Sequence, residues 1–500
     1  MAKNILDSLP EVFLSTAGIS THVSRAVSAG KARKIGPRLY TTNMTDAPES
    51  IVKRNLWPIV GLLFPDAVVG HRTALEGRPT ADGTVFLTGR YTRTVTFPGL
   101  TVRTVKGPGP LAGDNQFIGG LWHASRARAF LENLKPSRKR SGPARTLPRQ
   151  ELEDQLERLL QVSGTEALNR LRDEAGTIAS VLEADREYAQ LHKTIGTLLG
   201  TSKARLSAPA AIARVAGRPY DSGRIETFQA LLAGLRQWEP VSRPSSTANG
   251  EFERNLAFID AYFSNFIEGT EFSLNEAIEI VFENRIPERR PQDAHDILGT
   301  FRILSDPTAM RRSAVVFEND IEDFFAMIKS RHVTIMHARP DIRPGQFKLE
   351  VNRAGNTTFV DPQLVCGTLE KGLEFLRSLD TPFGRAAFMM FLIAEVHPFD
   401  DGNGRLARVM MNAELEAGGE SRIIIPTVYR EDCFWALRVP SRQNHALPFV
   451  QMLDYAQRFT ALLDFSALDN VLTTLRSCNA FDDTGDLRLR LPETTPAGTE

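Results

Sequence analysis

The most constraining feature of this chain is a long apolar run that stops at a histidine–proline pair followed by closely spaced glycines. The run FGRAAFMMFLIAEV begins at Phe383 and is typical of a buried helix. Thr381 and Pro382 are suited to be its N-cap and its first helical residue. Pro398 makes helical geometry unfavourable at His397, so the helix is predicted to end there.

The string HPFDDGNGRLAR, from 397 to 408, predicts a tight turn and then a second helix. Gly402 and Gly404 allow the backbone to turn sharply and to approach a ligand closely. A helix that begins at about Gly404 would present its free N–H groups and its positive dipole end to an anion. Arg405 and Arg408 are three residues apart and therefore lie on one face of this helix. The pattern predicts a helix–loop–helix phosphate site with a histidine at its edge.

The same string matches every fixed position of the signature HPFx[D/E]GNGRxxR and so resembles the Fic (Fido) family. The alternative is an ordinary Asp-Gly-Asn-Gly turn. Chance alone rarely produces all nine fixed positions of the signature in order. The resemblance implies a mainly α fold, with a Fic-type helical core and a β-hairpin flap. It also implies that AMP is transferred from ATP, with Mg²⁺, to a hydroxyl side chain of a target protein or of the protein itself.

The residue types in the string suit this chemistry. Neutral imidazole is available near pH 7, so the resemblance makes His397 the base. Mg²⁺ prefers one or two carboxylates plus phosphate oxygens, which suits Asp401 as the metal ligand. Phe399 would be the buried anchor of the loop. The resemblance favours AMP transfer, because a relative that phosphorylates its target carries lysine in place of glycine at 404. The phosphates would be bound by amide and guanidinium groups of five residues: Gly402, Asn403, Gly404, Arg405 and Arg408.

A second motif, SNFIEG at 264–269, resembles the inhibitory motif [S/T]xxxE[G/N] of this family. It ends an amphipathic helix, with Gly269 as the C-terminal cap and with Ser264 and Glu268 on one face. The resemblance implies that Glu268 pairs with Arg408 and makes it unavailable to the γ-phosphate, the arrangement called class II. The alternative is a surface carboxylate at a helix end. The apolar stripe of the helix consists of Phe252, Leu256, Ile259, Phe263 and Phe266.

Two β-prone runs, Phe347 to Val351 and Thr357 to Val360, predict a hairpin with its turn at 353–356. It resembles the family's flap, which aligns a target segment by strand addition. The alternative is a structural hairpin that covers the core. The residues expected to dock the target are Phe347, Lys348, Leu349, Glu350 and Val351.

Charge is distributed unevenly along the chain. Residues 1–150 contain 22 Lys and Arg against 9 Asp and Glu, a net charge of +13. The whole chain has a net charge of zero, so residues 151–500 have a net charge of −13. Such asymmetry indicates that the N-terminal part meets a polyanion.

The N-terminal part predicts a DNA-binding module. The apolar segment FLSTAGIS, a turn, a helix from about Ser20 and a β wing from Ala32 to Thr41 fit a winged helix-turn-helix over 1–45. With the small α+β domain expected at 46–134, this resembles AbiEi-type antitoxin regulators. The alternatives are a solvated basic face and a protein dock. The expected DNA contacts are Thr21, His22, Arg25, Lys31, Arg33, Lys34 and Arg38.

This module motivates a second function hypothesis, a DNA-binding regulator in which the Fic core is a nucleotide sensor or a regulated toxin. A Fic enzyme that uses another nucleotide is a further alternative.

The chain's 500 residues are enough for several domains. A basic linker rich in Pro and Gly is expected at 135–147, followed by a helical scaffold at 148–239. The Fic domain is expected at 250–465, with the inhibitory helix at 250–269. The polar segment 478–500 is predicted to be a disordered tail.

Cysteine usage and hydropathy indicate the compartment. Cys366, Cys433 and Cys478 form neither a metal pattern nor a disulfide framework. No apolar stretch reaches the roughly 18 residues of a membrane span, and the first residues lack the features of a secretion signal. We therefore expect a cytoplasmic protein that does not bind membranes. The target protein, the modified residue, the adenine contacts and the oligomeric state are left open.

Overall fold

The computed structural model describes residues 9–137, 142–245, 250–313 and 321–493. The chain forms two compact units, residues 1–216 and 217–500. Helices dominate the structure and the sheets are small, which confirms the predicted mainly α fold. Within the described residues, no helix combines the length and the hydropathy needed to cross a bilayer. Residues 138–141 of the expected linker lie outside the described residues.

The first unit begins with a small antiparallel sheet and one helix. Its elements are β1 Val12–Leu14, α1 Ser20–Ser28, β2 Arg33–Gly36 and β3 Leu39–Thr41, with strand order β1-β3-β2. The hairpin β2–β3 lies where the wing was predicted. The first helix of the predicted helix-turn-helix, read from FLSTAGIS, is wrong at residues 13 and 14. These residues form a strand instead, because Val12 and Phe13 are buried and Val12 pairs with Thr41 of β3.

A mixed six-stranded sheet follows, in the region where the small α+β domain was expected. Its strands are β4 Val68–Val69, β5 Thr84–Gly89, β6 Arg93–Phe97, β7 Leu100–Lys106, β8 Asn115–Phe117 and β9 Leu121–His123. The order is β6-β7-β5-β4-β9-β8, and the pairs β5·β7 and β4·β9 are parallel. The accompanying helices are α2 Pro48–Arg54, α3 Leu56–Leu63, α4 His71–Glu76 and α5 Arg126–Leu134.

Three further helices complete the first unit: α6 Arg149–Ile178, α7 Asp185–Leu198 and α8 Pro209–Val215. The long helix α6 is interrupted at Gly164, which has a φ of +73°. Its apolar face packs with α5 and α7 in a core separate from that of the sheet. The expected scaffold at 148–239 is therefore divided near residue 216, because the helix after α8 packs in the second unit.

The second unit is a helical domain. Its helices are α9 Ser222–Gln237, α10 Gly250–Ile267, α11 Leu274–Glu283, α12 Pro291–Leu304, α13 Pro307–Met310, α14 Ile321–Met336, α15 Val365–Arg377, α16 Pro382–Val396, α17 Asn403–Ala417, α18 Arg430–Gln443, α19 Leu447–Ala461 and α20 Leu468–Ser477. The apolar run predicted as a buried helix is α16, and twelve of its fifteen residues are buried. Thr381 caps it by accepting a hydrogen bond from the Gly384 N–H at 3.1 Å. α16 packs against α17, α15 and α9, so the loop that leaves it emerges from the centre of the domain.

The predicted hairpin is present, but its strands differ from those expected. They are β10 Arg353–Ala354 and β11 Thr357–Thr358, so the predicted turn residues 353 and 354 are part of a strand. The run Phe347 to Val351 is not a strand, because its first two side chains turn into the protein. Phe347 packs edge-on against Phe325, and Lys348 is 2 % exposed.

The predicted disorder of the C-terminal tail is wrong for residues 478–493. Ala480 and Leu489 are buried in the apolar cluster that also contains Phe263 of α10. The Tyr455 hydroxyl donates a hydrogen bond to the Leu489 carbonyl at 3.0 Å. These buried apolar residues pack the otherwise polar segment against the domain. Residues 494–500 lie outside the described part of the chain.

Candidate active site

His397 ends α16 in the left-handed conformation, with a φ of 52°. A carbonyl oxygen can only accept, so Nδ1 donates its proton to the Ala394 carbonyl at 3.2 Å. The lone pair of the neutral ring is therefore on Nε2. The ring stacks on Phe359 with centroids 3.8 Å apart. Burial lowers the pKa of His397 to about 4, so the imidazole is neutral near pH 7 and able to accept a proton.

The loop after His397 is fixed by contacts with buried side chains. Phe399 is fully buried and stacks on His332 with centroids 3.9 Å apart. Asn403 bridges the backbone of Phe399: its Oδ1 accepts from the Phe399 N–H and its Nδ2 donates to the Phe399 carbonyl, both at 2.9 Å. His332 accepts from the Gly345 N–H at Nδ1 and donates from Nε2 to the Asp401 carbonyl, both at 2.9 Å. These bonds require the neutral ring, and burial lowers the pKa of His332 to about 4.

The turn into α17 leaves one carboxylate at the surface of the site. Gly402 has a φ of +76°, and a Cβ there would lie 2.8 Å from the Met336 side chain. Asp401 is 53 % exposed, and its Oδ2 is 3.7 Å from Arg405 Nη2. Within the described residues there is no group of three or more His, Cys, Asp or Glu that could hold a metal alone. A single exposed carboxylate beside a phosphate site fits the way Mg²⁺ is bound, with phosphate oxygens and water completing its shell.

Arg405 is 3 % exposed, and buried polar side chains bind its Nη1 group. Its Nη1 donates to Asp296 Oδ2 at 2.7 Å and to Asn265 Oδ1 at 3.3 Å. Asp296 lies on α12 and is fully buried, and its Oδ2 also accepts from Arg339 Nε at 2.8 Å. The Nη2 group of Arg405 remains on the side of Asp401.

Arg408 is 5 % exposed, and its partners come from α10 and the residue that follows it. Its Nη2 donates to Glu268 Oε1 at 2.8 Å and to the Ser264 carbonyl at 2.7 Å. Its Nε donates to Ser264 Oγ at 2.9 Å. The structure therefore brings together the three residues that the two motifs singled out, although 140 residues separate Glu268 from Arg408 in the chain.

Glu268 also covers the first turn of α17. A Cβ at Gly404 would collide with the Glu268 carboxylate, whose side chain is 26 % exposed. The carboxylate thus lies at the helix N-terminus, where free N–H groups and the helix dipole favour an anion. Gly269 has a φ of +88°, which suits the residue that ends the α10 segment.

The residues expected to dock a target divide into two groups. Phe347 and Lys348 face inward, whereas Leu349 is 74 % and Val351 41 % exposed, and Glu350 is also exposed. Lys348 Nζ donates to Asn352 Oδ1 at 2.7 Å, and burial lowers its pKa to about 8. The structure therefore leaves only the second part of this run accessible.

The expected DNA contacts are in the first unit, far along the chain from this site. Arg33 is directed inward and donates to the Asp46 carbonyl. Arg38 is exposed and also donates to the Ser15 carbonyl at 3.3 Å. The exposed members of the set are Thr21, His22, Arg25, Lys31, Lys34 and Arg38.

Sequence reasoning missed three residues that shape the site: Asn265, Asp296 and Phe359. A signal was available for Asp296, since it is a carboxylate directly before the apolar stretch ILGTF. Such a residue needs a cationic partner when buried. The stacking of Phe359 on His397 had no local signal, because the two residues meet only in the folded domain.

The fold and site define a helical domain in which a buried helix leads through a histidine loop to a helix N-terminus suited to bind an anion. Residues 325–415, which include this loop, match the model of the Fic/DOC family. The chain therefore contains a Fic/DOC domain, and its predicted relationship to the Fic family is confirmed.

Curated relatives match a larger part of the chain. "Protein adenylyltransferase fic-1" of Caenorhabditis elegans is 26% identical over 239 residues, which is 46% of each chain. "Protein adenylyltransferase Fic" of Nematostella vectensis is 29% identical over 265 residues, covering 47% of this chain and 58% of the relative. The chain spans about half the length of the curated relatives it matches.

Solved structures of Fic proteins are also similar. Fic-1 (aa134 - 508) from Caenorhabditis elegans has a TM-score of 0.36 at 19% identity, covering 69% of this chain and 96% of that chain. A Fic domain containing signaling protein from Bacteroides thetaiotaomicron has a TM-score of 0.39 at 17% identity, covering 49% and 97%. These low scores add nothing to what the family match establishes.

Proposed function

We propose that this chain is a protein adenylyltransferase that transfers AMP from ATP to a hydroxyl side chain of a target protein. The observation that carries the proposal is the position of His397, whose free Nε2 belongs to the loop leading into the anion-binding end of α17. The relatives named protein adenylyltransferases support the same activity. Gly404 also supports AMP transfer, because the resemblance associates glycine at this position of the signature with that activity.

In the proposed reaction, the target hydroxyl oxygen attacks the α-phosphorus of ATP. A bond forms between them, the bond from the α-phosphorus to the bridging oxygen breaks, and pyrophosphate leaves. The hydroxyl proton passes to Nε2 of His397, which is neutral at pH 7 because burial lowers its pKa. Arg405 and the amides at the start of α17 would bind the phosphates. Mg²⁺, held by Asp401, would supply further neutralisation of the phosphate charge.

We also propose that Glu268 keeps the enzyme in an inactive resting state. Its carboxylate accepts from Arg408 Nη2 at 2.8 Å and lies over Gly404. A phosphate that needed Arg408 and the end of α17 would meet a negative charge in the same place. Release of Glu268 would therefore make both available to ATP.

Label transfer from α-labelled ATP to protein tests these proposals. We expect Glu268→Gly to label lysate proteins or itself more strongly than the wild type, and Glu268→Gly/His397→Ala to lose this labelling. Glu271→Gly is the matched control, since Glu271 is an exposed carboxylate three residues further on. Labelling from γ-labelled ATP, or from another nucleoside triphosphate but not from ATP, would show a different transfer. If neither variant differs from the wild type, the proposed mechanism is wrong.

We propose that the target segment aligns along the exposed part of the flap. Leu349 and Val351 are apolar and exposed beside the loop that contains His397, and backbone pairing with an added strand is a general way to bind an extended segment. Leu349→Asp should then raise the KM for the target protein and leave auto-labelling from ATP unchanged if the modified residue lies elsewhere on this chain. An unchanged KM would remove the flap from target binding.

A second candidate function is DNA binding by the N-terminal part. The described helix α1 carries no acidic residue, and Thr21, His22 and Arg25 are on its exposed face. Lys34 and Arg38 are exposed on the β2–β3 hairpin. Polar and basic side chains on a helix and an adjacent hairpin are suited to contact a groove and its phosphates. Under this DNA-binding hypothesis, the Fic domain acts as a nucleotide sensor or as a toxin that the N-terminal part controls.

Gel-shift with the full chain and its own upstream DNA tests this candidate. We expect binding that weakens as salt rises, and further weakening in an Arg25→Glu/Lys34→Glu/Arg38→Glu variant. No salt-sensitive binding would remove the hypothesis. Both functions are compatible, because they use different units. A cytoplasmic location is proposed for either function, and all three cysteines are free.

A further inference from the structure

Asp296 and Glu268 are both carboxylates that bind an arginine of the anion site, but they belong to different parts of the domain. Glu268 follows α10 and is partly exposed, whereas Asp296 lies within α12 and is fully buried. Asp296 holds the rear Nη1 group of Arg405 at 2.7 Å. The forward Nη2 group is 3.7 Å from Asp401 and is not used by Asp296.

The arrangement around Asp296 is poorly explained by stability alone. Its Oδ2 accepts from both Arg405 and Arg339, while its buried Oδ1 has no hydrogen-bond partner within the described residues. Burial raises the pKa of Asp296 above its ordinary value even with two guanidinium groups beside it. A buried ion pair often contributes little net stability, because desolvation offsets the attraction. The contact with Asp296 also fixes the direction of the Arg405 side chain, and this effect does not require the ion pair to stabilise the fold.

We infer that Asp296 is a positioning residue that keeps Arg405 directed at the phosphate site whether or not Glu268 is in place. The other partner of Nη1, Asn265, is on α10 and makes a longer contact of 3.3 Å. If α10 shifts when Glu268 is released, Asp296 still holds Arg405. This inference rests on the proposed function, since it takes ATP as the ligand of the site.

The experiment measures ATP affinity by calorimetry with Mg²⁺, and AMP transfer separately, in the Glu268→Gly protein. We expect Asp296→Asn to weaken ATP binding about 10- to 100-fold, as for loss of a charged hydrogen bond. Asp293→Asn is the matched control, because Asp293 accepts from Arg339 Nη2 at 2.6 Å and does not bind Arg405. It should change ATP affinity by less than about twofold.

A double-mutant cycle separates positioning from a general structural effect. In an Arg405→Ala background, Asp296→Asn should cause no further loss of ATP affinity. An equal loss with and without Arg405, or unchanged affinity in Asp296→Asn, would overturn the inference. If Asp296→Asn does not fold, Asp296→Glu keeps the charge but shifts it, and parent-like affinity would again overturn the inference. Asp296-dependent binding without AMP transfer would support the positioning role and contradict the proposed activity.

Discussion

Arg405 and Arg408 leave the same helix one turn apart and are almost equally buried, yet their carboxylate partners belong to different regions of the domain. On one side, α12 holds Arg405 through the buried carboxylate of Asp296. On the other side, the segment 264–268 holds Arg408 through Ser264 and the partly exposed carboxylate of Glu268. The difference underlies the two proposals made above: that Asp296 keeps Arg405 in place, and that the availability of Arg408 depends on its contact with Glu268.

Loss of the permanently held arginine should have the largest effect. In the Glu268→Gly protein, we expect Arg405→Ala to lower the initial rate of AMP transfer by about 10²- to 10³-fold, as for removal of a charge-stabilising donor. The rate is measured with α-labelled ATP and a fixed target. A loss of less than about tenfold would contradict the assigned role of Arg405.

Removal of the switch carboxylate should have the next largest effect, in the opposite direction. We expect Glu268→Gly to raise the wild-type rate about 10- to 100-fold, because one charged hydrogen bond to Arg408 is lost. Glu268→Gln should raise it less, since the amide oxygen still accepts from Arg408. Equal rates for the two variants would show that bulk over Gly404, and not charge, determines the resting state.

Ser264 should contribute a smaller part of the same switch. Ser264→Ala removes the acceptor of Arg408 Nε but retains the carbonyl contact. We expect a rise of about three- to tenfold in the wild-type background, the value of a single hydrogen bond of about 1 kcal/mol. In the Glu268→Gly background the same substitution should have no effect. If Ser264→Ala raised the transfer rate equally in that background, Ser264 would not act together with Glu268.

The pH dependence of the transfer rate should be the smallest effect near neutrality. Burial lowers the pKa of His397 from 6.5 to about 4, so the transfer rate of Glu268→Gly should vary by less than about twofold from pH 6 to 8 and fall as pH approaches 4. A pH–rate profile of kcat/KM checks this. A midpoint near 6.5 would mean that the imidazole is solvated when the enzyme works.

The same shift predicts a change in stability. The unfolded chain takes up the His397 proton first as pH falls, so stability present above pH 6.5 is lost progressively down to about pH 4. Thermal unfolding of His397→Ala should show a shallower loss over this range than the parent protein. An identical pH dependence of the two melting temperatures would contradict the assignment.

Much of the site could be predicted because its signals are local. A capping threonine, an apolar run, a proline and two glycines specify where α16 ends and α17 begins, since each acts within a few residues of itself. The pairing of Arg408 with Glu268 came from a different source, the resemblance of both motifs to one family.

Other parts could not be predicted because they depend on what surrounds them. The segment 12–14 reads as apolar and could form either element, but pairing with β3 makes it a strand. The run from Phe347 is β-prone, yet Phe347 and Lys348 both turn into the protein, and consecutive side chains of a strand point to opposite faces. The tail after Cys478 is polar in composition, but Leu489 finds an apolar cluster to pack against.

The sequence by itself therefore determined the order of helix, turn and helix, the place of a histidine where the first helix ends, and the presence of two arginines on one helix face. Only the tertiary structure decided which carboxylate holds Arg405. Asp296 is 109 residues from Arg405 in the chain, and no local pattern links them. The physical reason is that caps and periodicity act over one or two turns, whereas the partner of a buried charge is selected by the packing of whole helices.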